Sequence, residues 1–366
     1  MAEGLSVSLR HRQGDFTVEA DFRAGPGVTA LFGRSGAGKT TLLRAVAGLL
    51  RPQQGRITLG GRVFVDTGTG AWLPPHRRRV GYVFQDARLF PHLTVRQNLA
   101  YGRWFAGRGG ATTVPFDDIV GMLGIVPLLG RRPGGLSGGE RQRVAIGRAL
   151  LAGAEVLLLD EPLASLDAAR RAEILPYLER LRDGLDLPIL HVSHSLAEVV
   201  RLATALVLVE QGRVVASGPL AAMLARPDLA ALFGRFGTAT LLEGTVEGHD
   251  PAWELTRVAT PAGPLLLPRL DRPVGAAVRL RVLARDVLLS TRPPRDLSAR
   301  NVLPGMVTAL LPGTGAEMEA SLDMAGQPLT ASLTRLAAAE LGLAPGQPVW
   351  AVVKAVAVVD GGTGLD

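Results

Sequence analysis

The sequence contains no cysteine, which removes disulfides, Cys-based zinc or iron–sulfur sites and a thiol nucleophile. It contains almost no lysine either: of 40 basic residues only Lys39 and Lys354 are lysines, the rest being Arg. Aromatic residues make up only 5%, and the Arg residues are scattered without aromatics between them, so the net charge of +7 reads as a solvated surface rather than a nucleic-acid face. No apolar run reaches the roughly 18 residues of a membrane span, and the polar start MAEGLSVSLRHRQGDFTVEA is no signal peptide, so a cytosolic address is expected and any membrane role must come through a partner. Low complexity is missing as well. Hydrophobic residues reach 47% of the 366, a globular composition long enough for two or three domains.

Residues 1–235 alternate β-type runs (VTALF, RVGYVF, EVLLLD, LPILHVS, TALVLVE) with helical segments such as TLLRAVAGL and ERQRVAIGRALL, which predicts a mostly parallel sheet flanked by helices. From 238 to 366 the runs are short, β-like and broken by Pro and Gly, with one short helix around LTRLAAAELG. A β-rich second domain is expected there. It holds a faint repeat: residues 274–289 and 345–359 share a Gly, then Val at +3 and +7, then Ala at +9.

The strand VTALF runs into Gly33, Arg34, Ser35, Gly36, Ala37, Gly38, Lys39 and Thr40, a full G-x-x-x-x-G-K-[ST], and a helix follows from Thr41. Small residues let backbone N–H groups converge on phosphate oxygens at a helix N-terminus, Lys39 reaches the β/γ-phosphates and the Thr40 hydroxyl suits Mg²⁺. The apolar strand Val156 to Leu159 ends in Asp160, Glu161 and Pro162, putting two carboxylates where open α/β sheets bind ligands. Asp160 is the candidate Mg²⁺ holder and Glu161 the base that polarises an attacking water. Ser137 and Glu140 in Leu136-Ser137-Gly138-Gly139-Glu140 form a capping box; this is either a well-made helix start or a second phosphate-contacting N-terminus. Gln85 and His194 close strands and reach their tips, whereas His191 and His194, three apart, point to opposite strand faces and are no metal pair.

The ordered set of phosphate loop, Gln85, Leu136 to Glu140, Asp160 to Pro162, Ala164-Ser165-Leu166-Asp167 and His194 resembles the ATPase subunit of ABC transporters. Longer runs such as GYVFQDARLFPHLTVRQNL and LLLDEPLASLD resemble the molybdate-importer branch. The resemblance implies an α/β P-loop ABC ATPase fold with a helical subdomain, and a C-terminal OB-like barrel with a Mop/TOBE-like module at about 297–360. It implies ATP and Mg²⁺ as cofactors, Thr40, Gln85 and Asp160 as metal holders, and Glu161, His194 and Gln85 as the catalytic group. It also implies a head-to-tail homodimer in which the phosphate loop of one copy and Ser137 to Glu140 of the other enclose ATP. Partners follow: transmembrane permease subunits contacted through the stretch after Gln85, an external solute-binding protein, and an address on the cytoplasmic face of the inner membrane. The words Ser298-Ala299-Arg300-Asn301 and Val353-Lys354-Ala355 imply oxyanion binding, with Ser298, Arg300 and Lys354 as donors to molybdate or a related tetrahedral dianion. One departure is the lack of a clear aromatic in the usual adenine-stacking place, where Phe16 is a poor candidate. Importers of sulfate, sugar or polyamine share the motifs. A non-transport ABC ATPase acting on DNA or ribosomes would carry a coiled coil or a second cassette, and a pure oxyanion-storage protein would leave the first domain idle.

Overall fold

The computed structural model describes residues 4–105, 115–164, 166–226, 228–229, 232–233, 238–313, 315–354 and 359–360. Ser165 and Ala355 of the sequence motifs lie outside the described residues. The chain divides into two compact units, 1–220 and 221–366.

In the first unit, β1 (Leu5–Gln13), β2 (Phe16–Ala24) and β3 (Gly27–Phe32) lead to α1 (Lys39–Ala47), followed by β4 (Gln54–Leu59), β5 (Arg62–Asp66), β6 (Ala71–Trp72) and β7 (Val80–Val83). Three helices, α2 (Val95–Phe105), α3 (Phe116–Met122) and α4 (Gly138–Leu151), precede β8 (Val156–Asp160). The unit ends with α5 (Ala168–Gly184), β9 (Pro188–Ser193), α6 (Leu196–Leu202), β10 (Ala205–Glu210) and β11 (Arg213–Pro219); α7 (Leu220–Leu224) spans the point of division. One eleven-stranded sheet runs β6-β5-β4-β1-β2-β11-β10-β3-β9-β8-β7. The strands read from the alternating pattern, β10, β3, β9, β8 and β7, pair in parallel. Every residue of β8 and β9 is buried, as continuous apolar runs require when helices cover both faces. The alternation did not disclose the antiparallel arm β2-β1-β4-β5-β6, whose strands interleave polar with apolar residues rather than forming continuous apolar runs.

A buried cation ties this arm to α1. Arg78 has no exposed surface; its Nη1 donates to Ala45 O and Val46 O, each at 2.8 Å, and its Nε donates to Leu73 O at 2.7 Å. The guanidinium lies 4.5 Å from the Trp72 ring. Burial pulls its pKa down to about 10, so it remains a cation facing the negative end of the α1 dipole and satisfying carbonyls that a helix end leaves open.

The second unit holds two five-stranded sheets. Its first half contains β12 (Ala239–Asp250), β13 (Leu255–Thr260), β14 (Gly263–Pro268), β15 (Ala277–Leu283) and β16 (Val287–Ser290). Its second half contains β17 (Asn301–Pro312), β18 (Glu317–Met324), β19 (Gln327–Thr334), α8 (Arg335–Glu340), β20 (Pro348–Val353) and β21 (Val359–Asp360). The halves repeat each other pair for pair: Thr240 opposite Val282 through Thr245 opposite Ala277 matches Asn301 opposite Val353 through Met306 opposite Pro348. Both long strands carry an irregularity at the same place, Val246/Gly248 and Val307/Ala309. The faint sequence repeat is therefore structural, and the shared Val residues Val278, Val282, Val349 and Val353 all face the core. The last strand of each half is exchanged: β16 joins β20, and β21 joins β15. Matching polar ties cross between the sheets, Thr330 N donating to Thr240 Oγ1 at 3.0 Å and Leu266 N to Asn301 Oδ1 at 2.7 Å.

Arg78→Met keeps length but removes the buried donor to the Ala45, Val46, Leu73 and Phe64 carbonyls, so the unit-1 transition should lose about 3 kcal/mol in urea unfolding. A change within about 0.5 kcal/mol, the size of an ordinary surface substitution, would mean the guanidinium carries no structural weight.

Candidate functional site

The phosphate loop leaves β3 at Gly33, where a Cβ would stand 2.0 Å from Val209 O, so only glycine allows the loop to lie against β10. Gly38 caps α1 in the left-handed region at φ 101°, which turns the chain into the helix. Arg34, Ser35 and Gly36 are exposed and Ala37 is buried, while Thr41 is half-buried in the first turn. Lys39 is buried, and its Nζ donates to Gly33 O at 2.8 Å and to Arg34 O at 2.9 Å. Burial lowers its pKa, with the charges of Glu161 and Asp160 partly opposing this. The ammonium thus closes the loop from within, at the place an anion would compete for.

Thr40 Oγ1 donates to Asp160 Oδ1 at 2.9 Å. This hydroxyl and carboxylate form a hard oxygen donor set that fits Mg²⁺. Glu161, one residue past β8, adopts φ 48°, a left-handed conformation that costs a non-glycine residue roughly 1–2 kcal/mol. The turn directs its carboxylate to His194, whose Nδ1 lies 3.4 Å from Glu161 Oε2, and its N–H donates to Val192 O at 3.2 Å. His191 is fully buried within β9, whereas His194 is half-exposed one residue past its end rather than on the strand.

Phe16 opens β2 half-exposed, and its ring approaches to 3.5 Å of a Cβ built on Gly38 and 3.3 Å of one built on Gly212. The fold therefore sets an aromatic face beside the phosphate loop. Its place depends on the β1–β2 hairpin and on the turn between β10 and β11, which residue spacing does not reveal.

Ser137 caps α4 with both halves of the capping box: Glu140 N donates to Ser137 Oγ at 3.2 Å, and Ser137 N donates to Glu140 Oε2 at 2.7 Å. Gln85 is exposed two residues past β7 and lines a groove of about 470 Å³ with Asp86, Arg88, Gly138, Arg141 and Gln142. Gly139 is buried beneath the signature turn. The segment after Gln85 is pinned from below. Buried Asn98 accepts from Phe90 N at 2.9 Å and donates to three carbonyls, while Arg148 donates to Arg88 O at 2.9 Å.

In the second unit Ser298, Arg300 and Lys354 are all exposed. Arg300 and Lys354 are the next residues outward from the Asn301–Val353 pair, the position that Ala239 and Leu283 occupy as a pair in the first half. Two exposed cations thus flank the end of this ladder, where the first half carries none.

Glu198, the glutamate of the Ser195-x-x-Glu198 helix start, turns its carboxylate into a buried cluster behind His194. Glu198 Oε2 accepts from Ser193 Oγ at 2.7 Å and lies 3.8 Å from His191 Nε2, an ion-pair distance beyond a hydrogen bond; its Oε1 is 3.8 Å from Arg171 Nη1. Burial pushes the Glu198 pKa up, but His191, Ser193 and Arg171 outweigh it and the net shift is downward. A depressed carboxylate stabilises the fold above the ordinary glutamate range, about 4.3, and this is lost as pH falls through the lower folded value. The stability gap between wild type and Glu198→Gln should accordingly be open at pH 7 and narrow steadily below about pH 4 in urea unfolding. A gap that widens on acidification would contradict the downward shift.

The ABC transporter family profile matches residues 17–164 and the TOBE domain profile residues 297–359. A molybdenum import ATP-binding protein, ModC, of Mesorhizobium japonicum is 52% identical over 98% of this chain and 97% of its own length. The protein of the same name from Rhizobium meliloti is 53% identical over 97% of this chain and 99% of its own. Among solved structures, cbiO1 of Clostridium perfringens, part of the ABC transporter complex cbiONQ, matches with TM-score 0.52 and 27% identity over 63% of this chain and 94% of its own. With likeness running end to end at about half identity, and with the phosphate loop, capped signature turn and strand-tip carboxylates assembled in one unit, the chain belongs to the molybdenum import ATP-binding proteins of the ABC transporters.

Proposed function

We propose that the chain is the ATP-hydrolysing subunit of an importer of molybdate or a related tetrahedral oxyanion. The observation that carries the chemistry is the Glu161 carboxylate, turned by a left-handed backbone to within 3.4 Å of His194 beside the Thr40–Asp160 pair. Water attacks the γ-phosphate in line, Glu161 draws its proton and His194 with Gln85 holds the geometry. Lys39 leaves the carbonyls of Gly33 and Arg34 for the β/γ-phosphates, the loop N–H groups and the α1 N-terminus hold phosphate oxygens, and Phe16 offers adenine a face. Thr40 and Asp160, with Gln85, would hold Mg²⁺, which neutralises phosphate charge when bound.

Ser137, Gly138, Gly139 and Glu140 serve the nucleotide of a second copy in a head-to-tail homodimer. In support, the cap leaves the α4 N-terminus at the surface with Gly138 lining an open groove. The segment after Gln85, pinned by Asn98 and Arg148, takes the transmembrane permease subunits; an external solute-binding protein delivers the oxyanion to them. Among the described residues no helix is long and apolar enough to cross a membrane, which supports a peripheral place on the cytoplasmic face of the inner membrane. Residues 1–235 act as the motor and 238–366 as the β-rich domain, in which Ser298, Arg300 and Lys354 bind the oxyanion. In support, all three side chains are exposed, and Arg300 and Lys354 flank the Asn301–Val353 pair where the first half has the charge-free Ala239 and Leu283.

Glu161→Gln should bind ATP as wild type yet hydrolyse it at least a hundredfold more slowly, accumulating ATP-trapped dimers in size-exclusion chromatography. Turnover within a few-fold of wild type would remove Glu161 from the reaction. Calorimetric titration of the full chain with molybdate should show about tenfold weaker binding for Lys354→Ala, the size expected for one charge-assisted contact. Molybdate heats identical in the variant would place the oxyanion elsewhere.

A further inference from the structure

Asp160 is held by two hydroxyls, and the phosphate loop accounts for only one. Its Oδ1 accepts from Thr40, while its Oδ2 accepts from the phenol of Tyr82 at 2.7 Å. Tyr82 stands on β7, the parallel neighbour of β8, opposite Leu158. We infer that Tyr82 is a positioning residue for the divalent cation: it locks the plane of the Asp160 carboxylate so that the free lone pairs of both oxygens face the Thr40 side. This rests on the reading of Asp160 as a metal holder.

The chemistry favours a phenol in this role. Each carboxylate oxygen has two acceptor sites, so one bond to Thr40 and one to Tyr82 leave a site on each oxygen for a cation or its water. Two donors from different elements fix the rotation of the side chain, which one donor cannot. Tyr82 itself is held, its ring 4.3 Å from that of Phe84. Gln85 follows two residues past the end of the same strand, so the bond also ties Asp160 to the element that leads into Gln85.

Tyr82→Phe removes this one oxygen and keeps the ring on Phe84. The test is Mn²⁺ titrated by electron paramagnetic resonance into the full chain saturated with a non-hydrolysable ATP analogue, for wild type, Tyr82→Phe and Asp160→Asn. Tyr82→Phe should bind Mn²⁺ about tenfold more weakly, the scale of an outer-shell loss, with half-saturating Mg²⁺ for hydrolysis raised to match and metal-free nucleotide affinity unchanged. Asp160→Asn should be weaker still. Wild-type Mn²⁺ affinity in Tyr82→Phe alongside a weakened Asp160→Asn overturns the role of Tyr82 alone. Wild-type affinity in Asp160→Asn overturns the metal reading of Asp160, and the inference with it.

Discussion

Four neighbouring parallel strands set the whole nucleotide end of the molecule, because parallel strands end on one side of a sheet. β3 delivers the phosphate loop, β8 Asp160 and Glu161, β9 His194, and β7 Tyr82 followed by Gln85. The Thr40–Asp160 hydrogen bond joins residues 120 apart in the chain and clamps α1 to β8. Local rearrangement at any one tip is opposed by its neighbours, since β8 and β9 are buried on both faces.

That rigidity is what can hold Glu161 in a backbone state it would not choose. A penalty of about 1–2 kcal/mol is small against a fully buried strand pair, and it turns the carboxylate out of the β8 line toward His194. Behind it, Arg171 donates to Leu166 O at 3.1 Å and stands 3.8 Å from Glu198, so the segment ending at Asp167 and the turn around His194 share one buried charge cluster.

What the sequence made legible is what acts over a few residues. Glycines of the phosphate loop, the Ser137–Glu140 cap and the two carboxylates after an apolar strand all do their work locally, so spacing alone discloses them. The surroundings of Arg78, Tyr82, Glu198 and Phe16 are not legible in this way, because each is set by partners on another strand or helix. Arg78 reads as one of three consecutive arginines until the fold buries it, and Tyr82 as a strand residue until β7 lies beside β8. The antiparallel arm is of the same kind: its pairing depends on hairpin contacts rather than on a long apolar period.

The repeat in the second unit carries a last consequence through its exchanged strands. Since β16 precedes residue 297 yet completes the sheet of the second half, a fragment cut to the TOBE match would leave β20 with an open edge on one side. Open edges invite pairing with another chain. Two such fragments could close each other's sheets, each lending what the continuous chain supplies to itself. The unit thus has the topology of two small subunits joined end to end after trading strands, and duplication followed by fusion is the simplest ancestry for it.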